Sequence, residues 1–175
     1  MTLPYIKLVV PTALTKFKNG QLPANVLGKI KTGGLMYAPV AEQFNKMYDA
    51  ALAAGHKLRN VGDYRSFESQ LAMFRDRYVL ENTGTGVTRT YEGKTWYLHT
   101  GAPVATPGTS NHGWGLAIDV ALRVDGRAVP ISCKPEGAWR SGLQFLRKMA
   151  PDLGWSWELQ SEPWHIRYVL GRRLG

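Results

Sequence analysis

The sequence predicts an α+β fold, a small antiparallel sheet with helices packed mainly on one face. Three features carry this. Several segments repeat apolar residues at three- and four-residue steps, the period of an amphipathic helix. Others are short and rich in Val, Thr, Tyr and Trp, the composition of strands. Two-residue turn signals, Glu92-Gly93 and Asp125-Gly126, join the strand-like segments as antiparallel hairpins.

Residues 1–35 are punctuated by Pro4, Pro11, Gly20, Pro23, Gly28, Gly33 and Gly34, and read as an irregular wrap with at most short strands or turns. Pro39 then opens a helix with Val40, Phe44, Met47, Ala51 and Ala54 on one face, and Gly55 stands just past its end. Residues 58–63 form a short strand leading into Tyr64-Arg65-Ser66. Ser66 is a natural N-cap, and Glu68 falls in the first turn, where the helix dipole favours negative charge. Phe67, Leu71, Phe74 and Tyr78 share a face of this second helix, which ends before Asn82-Thr83-Gly84. Residues 87–98 read as a hairpin, and a Gly/Pro-rich connection over 101–108 delivers the chain to His112. Residues 116–124 are strand-like and turn back through Asp125-Gly126 into 127–131. Trp139, Leu143, Leu146 and Ala150 mark a third helix, stopped by Pro151. Trp155-Ser156-Trp157 and residues 166–170 are strands flanking Glu162.

At 175 residues, 44% apolar and 20% charged, the chain is expected to form one domain, 1–175, with its own core. No run has the length of apolar sequence that crosses a bilayer, so no membrane insertion is expected. Residues 1–11 lack a basic start, a long apolar middle and a small-residue cleavage site. The expectation is therefore synthesis in the cytoplasm without a signal peptide. A single Cys133 excludes an internal disulfide and reads as a small, partly buried filler. Twenty-two Lys and Arg against 13 acidic residues give a net charge of +9, which favours anionic partners. The basic residues are dispersed, with only short clusters such as Arg147-Lys148 and Arg172-Arg173, so charge alone names no partner.

The chemistry concentrates in Ser110-Asn111-His112-Gly113-Trp114-Gly115-Leu116-Ala117-Ile118-Asp119 and in Glu162-Pro163-Trp164-His165. Two imidazoles, one carboxylate and a spare Glu match a catalytic zinc site, with three N/O ligands, an open position for water and an unligated base. His112 and Asp119 are seven apart and would face opposite ways on one straight strand. A bend near Gly113 is therefore required, with Gly115, Ala117 and Asp119 on one face, where small residues leave room for a metal and a substrate. Pro163 forces Glu162 to extended geometry, so Glu-x-x-His is not a helical pair and the chain must kink there. The blander reading makes His112 a loop histidine, Asp119 a turn residue, Glu162 an exposed carboxylate and Trp164 a core residue. The other two histidines, His56 and His99, both read as ordinary polar residues, and of the two His99 is the one expected to line the cleft.

Taken together, Ser-x-His-x-x-Gly-x-Ala-x-Asp followed by Glu-x-x-His resembles the zinc D-alanyl-D-alanine carboxypeptidase (VanY-like) and phage L-alanyl-D-glutamate endopeptidase superfamily. Tyr64-Arg65-Ser66-x-x-x-Gln70 resembles the same superfamily, and the resemblance spans residues 40–169. It implies one Zn²⁺ per chain on His112, Asp119 and His165, with Glu162 as general base and Arg65 stabilising the oxyanion or holding a substrate carboxylate. Ser110, Tyr64, Gln70 and Trp164 become candidate substrate contacts beside Arg65.

The implied substrate is the stem peptide of bacterial peptidoglycan. Without a signal peptide, the expectation is a monomeric endolysin-type L-Ala-D-Glu endopeptidase that reaches the wall after release, its basic surface holding anionic wall polymers. A D-alanyl-D-alanine carboxypeptidase is the alternative. A basic nucleic-acid-binding protein or metal nuclease is a more distant one, set aside because no nucleic-acid fold signature occurs.

Overall fold

Proline and glycine placement divides the chain much as its spacing suggests. The computed structural model describes residues 2–124, 127–129 and 137–169; the Asp125-Gly126 turn, Cys133 and Arg172-Arg173 lie outside the described residues, as does the side chain of Trp139. The N-terminal wrap contains 3-10 turns at Thr12–Leu14 and Ala24–Val26, then a hairpin of β1 (Leu27–Lys29) and β2 (Leu35–Tyr37). Helix α1 (Ala38–Ala53) carries Pro39 in its first turn, where a missing N–H costs nothing. It buries Val40, Ala41, Phe44, Met47 and Ala51, while Ala54 forms its cap and Gly55 takes the left-handed conformation.

Strand β3 (His56–Gly62) follows, and the Ser66 hydroxyl then caps α2 (Phe67–Arg77) by accepting from the Ser69 N–H. Here the structure corrects the sequence reading. The helix stops at Arg77, and Tyr78 is extended in β4 (Tyr78–Val79), where it pairs with Leu98. Tyr78 still stacks on Phe74, with ring centroids 4.8 Å apart, because one backbone turn brings it back over the helix face. Strands β5 (Thr88–Tyr91) and β6 (Lys94–Leu98) form the hairpin, with both Glu92 and Gly93 at positive φ. Together β4, β6 and β5 make a separate three-stranded sheet with its own small core of Phe74, Tyr78 and Leu98.

The main sheet contains β7 (Ala117–Val124), β8 (Arg127–Val129), β9 (Trp155–Trp157) and β10 (His165–Tyr168), with α3 (Gly137–Met149) before β9. Its order is β3-β7-β10-β9, all antiparallel, and β8 also pairs with β7. Ile118, Val120 and Leu122 of β7, Ile166 of β10, and Trp155 and Trp157 of β9 join α1 and α3 in the principal core. Burying each such side chain is worth roughly 1.5–3 kcal/mol. With period-two alternation, the odd residues of β7 and β10 turn to the opposite face. That face carries Asp119 and His165. Among the described residues no helix is long and apolar enough to cross a membrane.

Candidate metal centre

Sheet register brings the first two donors together. Asp119 of β7 and His165 of β10 are direct cross-strand partners, and Asp119 also sits opposite Gly62 of β3 across a bulge. A side chain at position 62 would meet the Asp119 carboxylate, since an added Cβ would lie 2.8 Å from Oδ2.

The third donor arrives by the bend that the seven-residue spacing demands. Asn111–Trp114 form a 3-10 turn capped by Ser110, whose hydroxyl accepts from the His112 N–H at 3.2 Å. Gly115 closes the turn at φ +64°, and the strand starts only at Ala117. Gly115 therefore does not share the face of Ala117 and Asp119. Its missing Cβ leaves room for the backbone of Tyr37, whose N–H donates to the Gly115 carbonyl at 3.0 Å. The small residue serves packing of the wrap, not access to the metal.

In this arrangement one ligating atom from each of His112, Asp119 and His165 lies within 4.8 Å of the others. His165 Nδ1 is 2.9 Å from Asp119 Oδ1, His112 Nε2 is 3.5 Å from Asp119 Oδ2, and the two ring nitrogens are 3.3 Å apart. On its far side His112 Nδ1 donates to the Asp63 carbonyl at 2.9 Å, which leaves Nε2 with a lone pair facing the cluster. Two imidazole lone pairs and a carboxylate at such range repel unless a cation lies between them. A divalent metal with N/O preference, zinc above all, fits that donor set.

Without metal, a proton takes this part. Burial alone would lower the His165 pKa, but Asp119 and Glu158 outweigh it and raise it to about 9. Burial would raise Asp119, but hydrogen bonds from His112 and His165 hold it far below the ordinary carboxylate range. A raised histidine pKa stabilises the fold fully below the unfolded value of 6.5 and loses that contribution as pH climbs through about 9. In chelator, stability is therefore expected to fall between pH 6.5 and about 9, by on the order of 3 kcal/mol at most, and the melting temperature with it. Saturating zinc should flatten the profile, because the metal displaces the His165 proton. Thermal melts across this range, with and without chelator, check both.

The other predicted residues take distinct places. Arg65 is tied to the site by its backbone N–H, which donates to the His112 carbonyl at 3.1 Å. Its guanidinium donates to Gln70 Oε1 at 2.9 Å, and the buried Gln70 amide donates in turn to the Ala105 carbonyl at 2.6 Å. Burial lowers the Arg65 pKa, and the Asp119 charge counters that shift. Tyr64 accepts from the Leu22 N–H at 3.0 Å and anchors the wrap. Ser110 is buried as the cap of the His112 turn, and its carbonyl accepts from Asn19 at 2.7 Å. Trp164 is half-buried, and its carbonyl accepts from the Val120 N–H at 2.9 Å.

Glu162 lies in the turn entering β10, closed by the His165 N–H donating to its carbonyl at 3.0 Å. This is the kink that Pro163 imposes. Among the described residues its carboxylate makes no hydrogen bond or ion pair. His99 is exposed, and His56 packs its ring 4.6 Å from that of Phe145.

Sequence reasoning missed Glu158. Its Oε2 is 3.6 Å from His165 Nε2 and accepts from Asn111 Nδ2 at 2.9 Å. The only signal was the register of the β9–β10 hairpin: with Trp157 opposite Ile166, the next pair outward is Glu158 and His165.

Comparison with known proteins agrees with this architecture. A D-alanyl-D-alanine carboxypeptidase of Enterococcus faecalis is 31% identical over 149 residues, covering 82% of this chain and 52% of that protein. The chain spans about half the length of the curated relatives it matches. Among solved structures, the vancomycin-resistance D,D-pentapeptidase VanY in complex with Zn(II) superposes with a TM-score of 0.54 at 24% identity, over 85% of this chain and 82% of its own. The LD-carboxypeptidase LdcB gives 0.57 at 22% identity, over 86% and 71%. Residues 34–171 match the VanY family model, D-alanyl-D-alanine carboxypeptidase, and the chain belongs to that family.

Proposed function

We propose that the chain is a zinc peptidase of peptidoglycan, cutting the stem peptide at its D-alanine end. The observation that carries this is the convergence of His112 Nε2, an Asp119 oxygen and His165 Nδ1 in a family of D-alanyl-D-alanine carboxypeptidases. Those three atoms would hold the ion. Bound there, zinc would supply Lewis acidity and lower the pKa of a water in the open position toward about 7.

The remaining work falls to the chain's own residues. Glu162, one tight turn before His165, takes the proton of the attacking water and returns it to the leaving amine. Arg65, held by Gln70 within the field of Asp119, presents a fixed planar fork to a substrate carboxylate or to the developing oxyanion. The surplus of +9 suits retention on an anionic wall, which the chain would reach after release.

The half-buried, internally clamped Arg65 favours a substrate with a free carboxyl terminus, and hence the carboxypeptidase over the endopeptidase. Mass spectrometry of digested peptidoglycan tests this. Free D-alanine is expected; new amino-terminal D-glutamate would instead mark the L-alanyl-D-glutamate endopeptidase. In kinetics, Arg65→Lys should raise KM roughly tenfold with little change in kcat, because a point charge lacks the bidentate fork. A fall in kcat at constant KM would assign Arg65 to the oxyanion.

A further inference from the structure

Behind the metal ligands a line of contacts runs from the N-terminal wrap to His165. Arg167 lies two residues beyond His165 on the same strand, hence on the same face, and is 4% exposed. Its Nη2 donates to the Ile6 carbonyl at 2.9 Å, and its guanidinium lies 5.1 Å from the centre of the Tyr5 ring. Its Nη1 is 3.5 Å from Glu158 Oε1. The wrap is itself pinned to β9: the Trp157 N–H donates to the Pro4 carbonyl, and Leu3 exchanges two hydrogen bonds with the Gln160 side chain. Residues 3–6 precede the family-matched stretch.

Glu158 thus meets both arms of the metal centre. One oxygen accepts from Asn111, which directly precedes His112, and lies within ion-pair range of His165 Nε2. The other faces Arg167. We propose that Glu158, braced by Arg167, is a positioning residue that keeps the proton of His165 on Nε2 and the ring plane fixed, so that Nδ1 is presented to the metal.

The physical need is plain. A neutral imidazole has two tautomers, and the one protonated at Nδ1 cannot ligate through that atom. A carboxylate at the far nitrogen selects the competent form and makes the ligating nitrogen more basic. The same geometry separates Glu158 from the chemistry. It contacts His165 at Nε2, whereas Asp119 and His112 contact the ring at Nδ1, so the ring stands between Glu158 and the ligand cluster.

The inference rests on the metal reading above, and zinc affinity tests it independently of substrate. In Glu158→Ala the zinc dissociation constant, measured against a chromophoric chelator, should rise by about 10–100-fold. Metal-free melting temperatures are compared above about pH 9, where His165 carries no charge for Glu158 to pair with; there the variant should stay close to wild type, since this side chain is 40% exposed and leaves no core cavity. Glu158→Gln, whose amide oxygen still accepts, should recover most of the affinity. In nitrogen-correlated NMR of the zinc-loaded wild type, the His165 Nε2–H should be protected from exchange, and Glu158→Ala should lose that protection. Unchanged zinc affinity in Glu158→Ala would overturn the assignment, and so would lost affinity matched by a lower metal-free melting temperature. Normal zinc binding with abolished turnover would make Glu158 a catalytic group instead. A wild-type chain that bound no zinc would overturn the metal reading, and this inference with it.

Discussion

Chains carrying His165→Ala are expected to lose their zinc and, with it, hydrolytic activity altogether. Three protein ligands are the usual complement of a catalytic zinc site, and removing one leaves two donors and a vacant corner. His165 is the ligand whose loss costs most, because it pairs with Asp119 across the β7–β10 register and meets Glu158 on its far nitrogen. Without it, Asp119 loses its cross-strand imidazole at 2.9 Å and Glu158 its contact on the far nitrogen. His112→Ala and Asp119→Ala should also strip the metal. Elemental analysis of the purified variants decides the matter: one full equivalent of zinc on the His165→Ala chain would remove His165 from the ligand set.

Glu162→Gln should behave in the opposite way, keeping metal and fold while turnover falls by ~10²–10⁴-fold. The amide is nearly isosteric with the carboxylate but cannot take up the water's proton. Among the described residues the Glu162 carboxylate makes no hydrogen bond or ion pair, so the exchange leaves no buried partner unsatisfied. The neighbouring acid, Glu158, is poorly placed to substitute, since the His165 ring stands between it and the ligand cluster. Single-turnover assays on zinc-loaded protein give the relevant number. Near-normal rates there would mean that another group is the base.

Local chemistry makes much of this protein legible in its amino-acid order. Pro39 and Gly55 bracket α1, Ser66 caps α2, Glu92-Gly93 turns the hairpin, and Pro151 ends α3, because each signal acts within one turn of the backbone. Period and composition therefore determine the class of fold. The bend between His112 and Asp119 and the kink at Glu162 also follow from sequence, since strand alternation and proline geometry leave no other way to converge the donors.

Tertiary structure alone decided the rest. Tyr78 leaves its helix for a strand because Leu98, twenty residues on, offers a backbone partner, and sequence period cannot register such a partner. Gly115 serves the backbone of Tyr37 and not the metal, a distinction of packing between elements far apart in the chain. Glu158 belongs to the site only through the register of β9 on β10, and Arg167 reaches it only because residues 3–6 fold back over that hairpin. Spacing along the chain specifies which residues can share a face. Which faces then meet, and at what register, is set by burial of a common core, and in this chain that selects the carboxylate standing behind His165.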